Sequence, residues 1–176
     1  MAASASPFTW ITPSLAVGGA VAAGAAEALA RGDGVRAVID LRAEACDDET
    51  EYSRHGIAFL HLPTDDLCAL SPKMLADGVA FAERHLAAGE RVLVHCQHGI
   101  GRSATLALAI LVAGGMPPLD ALELAKSRRS MVSPSPPQYE AWAAWLRERA
   151  AATGATWTVP DFEAFKRIAY RHLLVR

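Results

Sequence analysis

The stretch VLVHCQHGIGRSATLALAIL, Val92 to Leu111, passes from a β-branched apolar run to an uncharged helical one through a loop carrying a cysteine, two glycines and an arginine. Arg91 to Cys96 has the composition of a buried central strand, and Ser103 to Val112 that of a buried helix. A strand ending at Cys96 and a helix starting near Arg102 leave Gln97, His98, Gly99, Ile100 and Gly101 wrapped above a helix N-terminus. Backbone N–H groups there have no intrahelical partner and converge on an anion. Gly99 and Gly101 let the backbone curl tightly, so the loop predicts a phosphate-sized cradle.

Outward from that loop, strands are predicted at FTWI (8–11), SLAVGG (14–19), VRAVIDL (35–41), IAFLHL (57–62) and RVLVHC (91–96). Ser71 and Pro72 open a helix with Leu75, Val79, Ala82 and Leu86 on one side, stopped by Gly89. Further helices are expected over Leu119 to Arg129 and from Ser135 to about Ala151, the latter with a Ser135/Gln138 capping box. A final amphipathic segment, Pro160 to Leu173, carries Phe162, Phe165, Ile168 and Leu173 on one side and is expected to dock on the domain. The fold class that follows is α/β: a central mixed β-sheet of about five strands with helices on both faces. The 176 residues suit one unit, with a main domain over 1–153 and a docked helical extension over 154–176.

Composition excludes several classes. Apolar residues make up 52% and charged residues 20%, with a net charge of −2, which favours neither disorder nor a nucleic-acid-binding surface. Three cysteines make no disulfide framework and point to a reducing compartment, so cytoplasmic localisation is expected. MAASASPFTW has neither a basic nor an apolar leader pattern, so no signal peptide is expected. The uncharged run Ser103 to Leu119 is broken by Gly114, Gly115, Pro117 and Pro118, so no membrane span is expected either.

Amide dipoles, the helix end and Arg102 all favour thiolate over thiol at Cys96, which makes it a nucleophile at neutral pH. Arg102 offers a planar fork matching two phosphate oxygens. Ser103 donates to the sulfur and helps it leave, while His95 orients the loop from behind. By chance this constellation arises on the order of once in 10⁵ cysteines. Zinc at His95, Cys96 and His98 fails for want of a second ligand pair at metal spacing.

HCQHGIGRS resembles the His-Cys-x5-Arg-Ser/Thr signature loop of cysteine-dependent protein tyrosine phosphatases, and the order of elements resembles their dual-specificity branch. The resemblance runs from about Phe8 to Arg149. It implies the matching fold, no cofactor, and hydrolysis of protein phosphotyrosine, phosphoserine and phosphothreonine through a phosphocysteine. It also implies a general acid on the LPTDDL segment, which is Asp66, with Asp65 as the neighbour that spacing alone does not separate. In the same terms Cys46 is the expected disulfide partner of Cys96, ahead of Cys68. Phosphoinositides are a rival substrate, disfavoured because the loop carries no lysine. A rhodanese-like sulfurtransferase or arsenate reductase needs no Asp66, and a phospho-binding pseudoenzyme needs no nucleophile. Asp47, Asp48, Glu49 and Glu51 are expected to form a solvated loop, and Arg128 and Arg129 to complement a helix dipole, with a second-phosphate subsite as the alternative. Gln138 is accounted for by its capping box, with water positioning as the family-based alternative.

Overall fold

The computed structural model describes residues 7–174; residues 1–6 and 175–176, the outer ends of the expected domain and extension, lie outside it. Five strands form one mixed sheet in the order β1-β2-β5-β3-β4. β1 (Phe8–Trp10) is antiparallel to β2 (Leu15–Gly18), while β2, β5 (Arg91–His95), β3 (Val35–Arg42) and β4 (Ala58–Thr64) run parallel. β5 lies in the middle, where its β-branched residues are covered on both faces. All five predicted strands are present.

Helices flank both faces. α3 (Pro72–Ala87), α4 (Arg102–Ala113) and α6 (Pro136–Thr153) pack with Val17, Ile39, Leu41, Val92 and Val94, and α5 (Pro118–Arg128) lies against α4. α1 (Ala26–Arg31) and α2 (Glu49–Arg54) cover the other face around Val38, Leu93 and Tyr52. Every residue of α4 from Arg102 to Val112 is buried, which explains an uncharged helix in a chain where no described helix is long and apolar enough to cross a membrane. The segment beyond 153 forms α7 (Phe162–Ala169) and α8 (Arg171–Leu174), and Phe165 is fully buried against Tyr139 and Trp142. Phe162 and Ile168 pack half-buried beside Phe165, whereas Leu173, expected on the same stripe, is exposed.

α1 and α2 were not visible in the hydropathy pattern. Each is six residues long, too short to be stable alone, and each is held by side chains from elsewhere. Asp48 caps α2 by accepting from the Thr50 and Glu51 N–H groups, and Glu51 in turn accepts from the Gly24 and Ala26 N–H groups at the start of α1.

Candidate active site

Alternation along β5 sends Val92, Val94 and then Cys96 to the face of α4, while Leu93 and His95 face α1 and α2. Cys96 and His95 thus stand on opposite sides of one backbone. Cys96 is buried, with its Sγ 3.3 Å from the Gly99 nitrogen and 3.3 Å from Ser103 Oγ. Burial alone would raise the thiol pKa; the Ser103 hydroxyl and the amides of Ser103, Gly99 and His98 outweigh it and hold the thiol below its ordinary value.

The loop needs its glycines. Gly99 has φ +67°, and a Cβ there would stand 2.5 Å from the Gly18 carbonyl carbon and 2.6 Å from Arg129 Nη2. A Cβ on Gly101 would collide with Gln138 Oε1. Arg129 donates through Nε to the Gly99 carbonyl at 2.9 Å, through Nη2 to the His98 carbonyl at 2.9 Å, and through Nη1 to Thr9 Oγ1 at 3.2 Å. Its donors are committed to the loop from behind, which corrects both the dipole reading and the second-phosphate reading for this residue. Arg128 is exposed and lies beside Trp10, Ile11 and Pro13.

On the other side of the sheet His95 Nε2 meets Asp47 Oδ2 at 2.7 Å, and the same oxygen accepts from Tyr52 Oη at 2.7 Å. Arg42 bridges Asp47 at 2.7 Å and Asp40 at 2.9 Å. The acidic run is therefore a solvated loop only in part: Asp48 and Glu49 are exposed, Asp48 and Glu51 cap the starts of α2 and α1, and Asp47 turns inward to hold the buried His95. Burial works against the Asp47 charge, but the hydrogen bond from His95, the His95 field and the Tyr52 and Arg42 contacts outweigh it, so its pKa lies below the usual carboxylate value. Its stabilising effect is present at neutral pH and is lost as acid protonates it below about pH 4. Asp47→Ala is expected to destabilise the fold by about 3 kcal/mol, because it leaves Arg42 and His95 short of a buried partner. Urea unfolding checks this, and a loss under about 1 kcal/mol would contradict the role assigned to the network.

Arg102 is almost wholly buried and lies deep in the site. Glu44 takes both ends of its fork, Nη1 at 2.7 Å and Nη2 at 2.8 Å, and Nη1 also donates to the Thr64 carbonyl at 2.8 Å. Asp66 Oδ1 stands 3.4 Å from Nη2. Nε has no partner among the described residues, and a buried unmade donor costs about 1–3 kcal/mol. The Arg102 hydrogen bond holds the Glu44 carboxyl at about 2, so the pair persists through the ordinary pH range.

A cavity of about 90 Å³ opens over Cys96, His98, Ile100 and Gly101, with Asp66 and Leu67 on one wall and Ser133 and Gln138 on another. Asp66 lines it and Asp65 does not, a distinction that spacing could not make. The Asp66 loop is pinned: Ser135 Oγ donates to the Leu67 carbonyl at 2.7 Å, Gln138 Nε2 donates to the Cys68 carbonyl at 3.1 Å, and Leu67 adopts φ +62°. Gln138 Oε1 also accepts from the Ser135 N–H at 2.9 Å, the expected half of the capping box. The Gln97 carbonyl accepts from Ala20 at 3.0 Å, so Gln97 anchors the loop through its backbone. Cys46 is exposed, and its Sγ lies near Asp40 and His61 on the His95 side of the sheet; all three cysteines are free, and the structure does not bring Cys46 to Cys96. The "Dual specificity phosphatase, catalytic domain" family model matches residues 19–148.

The chain belongs to the dual specificity phosphatase family. Mouse phosphatidylglycerophosphatase and protein-tyrosine phosphatase 1 is 34% identical over 115 residues, covering 61% of this chain and 60% of that protein. Mouse dual specificity protein phosphatase 2 is 34% identical over 105 residues, covering 58% and 31%. This phosphatase-family chain therefore spans less than two thirds of the length of these relatives. Among solved structures, PTPMT1 in complex with PI(5)P matches with a TM-score of 0.78 at 28% identity, covering 84% of this chain and 99% of that one. Human DUSP28 matches with a TM-score of 0.68 at 29% identity, covering 82% and 95%. These likenesses bear out the α/β dual specificity phosphatase fold read from the signature loop. What sequence reasoning missed in this family member is Glu44 on Arg102, Asp47 behind His95 and Arg129 behind Gly99. Each partner is 30 or more residues away in sequence, so no local pattern announces it.

Proposed function

We propose that this chain is a cysteine-dependent phosphomonoesterase, acting on protein phosphotyrosine with phosphoserine and phosphothreonine. The observation that carries the reading is a buried sulfur held by Gly99 N–H and Ser103 Oγ within the loop that ends at the buried Arg102. Cys96 thiolate attacks phosphorus to form the S–P bond as the P–O bond to the leaving group breaks, and Asp66 gives that oxygen its proton. In the second step Asp66 takes a proton from water, whose oxygen attacks phosphorus, and the S–P bond breaks to return thiolate and inorganic phosphate. Arg102 balances charge on the equatorial oxygens, Ser103 donates to the departing sulfur, and Gln97, His98, Gly99, Ile100 and Gly101 supply the cradle. The catalytic unit is taken as 1–153 with 154–176 as its extension, acting in the cytoplasm.

Phosphotyrosyl, phosphoseryl and phosphothreonyl peptides, run beside inositol phosphates with wild type and Cys96→Ser, test the reading. Peptide turnover that survives in the serine variant, or no turnover of any phosphoester by wild type, would remove it. A lipid phosphomonoester is the second reading, supported by the relatives named for phosphatidylglycerophosphate and solved with PI(5)P. None of Lys73, Lys126 and Lys166 lines the cavity, and Glu44 and Asp66 add negative charge beside it, which favours a substrate with one phosphate over a polyphosphorylated headgroup.

The rate should rise with pH on its acidic side. Cys96 must be ionised, so kcat/KM rises through a thiol pKa below the ordinary value. Asp66→Asn is expected to lower kcat/KM about 10²-fold for substrates with poor leaving groups and far less for a substrate with a good one. An equal loss with both kinds of leaving group would move the general-acid role elsewhere.

A further inference from the structure

Residues 129–135 join α5 to α6 and hold both loops of the proposed chemistry. Arg129 donates to the His98 and Gly99 carbonyls at 2.9 Å, the Ser133 N–H donates to the Ile100 carbonyl at 3.0 Å, and Ser135 Oγ reaches the Leu67 carbonyl at 2.7 Å. Between these contacts the same segment is held from the opposite side. Tyr170 Oη donates to the Pro134 carbonyl at 2.6 Å, and Lys126 Nζ donates to the Val132 carbonyl at 2.8 Å. Lys126 is itself buried, and His172 Nδ1 accepts from it at 2.7 Å. Positions 129, 133 and 135 thus face the catalytic loops, position 134 meets Tyr170 directly, and position 132 is held by Lys126 of α5, which His172 in turn engages.

We propose that Tyr170 and His172 are positioning residues for the phosphatase reaction: the C-terminal helices brace the 129–135 segment, which sets the spacing of the Cys96 loop from the Asp66 loop. The inference rests on the phosphatase reading above. Both residues lie outside the 19–148 span of the family match, so this brace belongs to the chain's own extension. Docking of α7 does not need these polar contacts, since Phe165 is buried against Tyr139 and Trp142 and Tyr170 stacks edge-on to it. What a hydrogen bond to a carbonyl adds is direction, and a small misplacement of a cradle amide is felt in transition-state stabilisation.

The test uses the full chain with Tyr170→Phe, His172→Ala, His172→Asn and Arg171→Ala, reading kcat/KM on a phosphotyrosyl peptide and the pH profile of iodoacetamide labelling at Cys96 by peptide mass spectrometry. Tyr170→Phe and His172→Ala should each lower kcat/KM about fivefold and move the Cys96 labelling midpoint upward. His172→Asn, which keeps an acceptor for Lys126, should restore most of the loss. Arg171→Ala, which removes an ion pair with Glu123 on the outer side, should behave as wild type. Wild-type kcat/KM within twofold and an unmoved labelling midpoint in both the phenylalanine and alanine variants would overturn the brace. So would losses that track only a lowered Tm while the midpoint stays fixed. If wild type turns over no phosphoester, the phosphatase reading fails, and the labelling midpoints still decide whether the extension positions the loop.

Discussion

Replacing Cys96 with serine is expected to lower kcat/KM by at least about 10⁴-fold while leaving phosphate binding in place. Hydrogen bonds from Ser103 and the amides of Ser103, Gly99 and His98 overcome burial and bring the thiol below its ordinary pKa. The same donors act on a hydroxyl, but an alcohol starts so far above a thiol that this cradle leaves it neutral near pH 7. Neutral oxygen is a poor nucleophile here, and His95 does not serve as its base, since it faces the other side of the sheet and is paired with Asp47. Arg102 and the Gly99 N–H remain, so the serine variant should still bind inorganic phosphate with an affinity near wild type. Steady-state turnover and a phosphate titration on the same preparation give both numbers. Activity within tenfold of wild type would mean that the reaction does not pass through the sulfur.

Arg102→Lys is expected to cost about 10³-fold or more in kcat/KM despite keeping the charge. The guanidinium divides its donors: two meet the Glu44 carboxylate at 2.7 and 2.8 Å, one meets the Thr64 carbonyl at 2.8 Å, and Nε has no partner among the described residues. One planar group thus ties Glu44 and Thr64 together beside the Cys96 loop. An ammonium is a point charge on a flexible stem, and satisfying Glu44 and Thr64 draws it away from the cradle. Because the Glu44 carboxyl is held at about 2, the competing pair does not dissolve at any pH where the rate is measured. The deficit should therefore be the same at pH 5.5 and pH 7.5, in kcat more than in KM. A lysine variant within tenfold of wild type would show that the fork is not needed to hold the transition state.

The legible part of this protein was local. Continuous β-branched apolar runs marked β3 and β5, the Ser71-Pro72 and Ser135-Gln138 patterns marked the starts of α3 and α6, and the spacing from Cys96 to Arg102 marked a loop shaped like a cradle. Each of these signals lies within a single strand, a helix turn or a seven-residue loop, where neighbours in sequence are neighbours in space. The acidic run 47–51 shows the limit. Its composition is that of a solvated loop, yet Asp47 faces His95 from 48 residues away, a contact no local pattern carries.

From sequence alone came the β5–loop–α4 unit and the placing of Cys96 beside the amides at the start of α4, because a loop, a helix start and a thiol beside them need no distant partner to be recognised. Tertiary structure decided which of two adjacent aspartates lines the cavity, what occupies the arginine fork, and what holds the loop from behind. Those are long-range pairings, fixed by strand order β1-β2-β5-β3-β4 and by which face of the sheet each side chain takes. Neither quantity is written in any short window of residues.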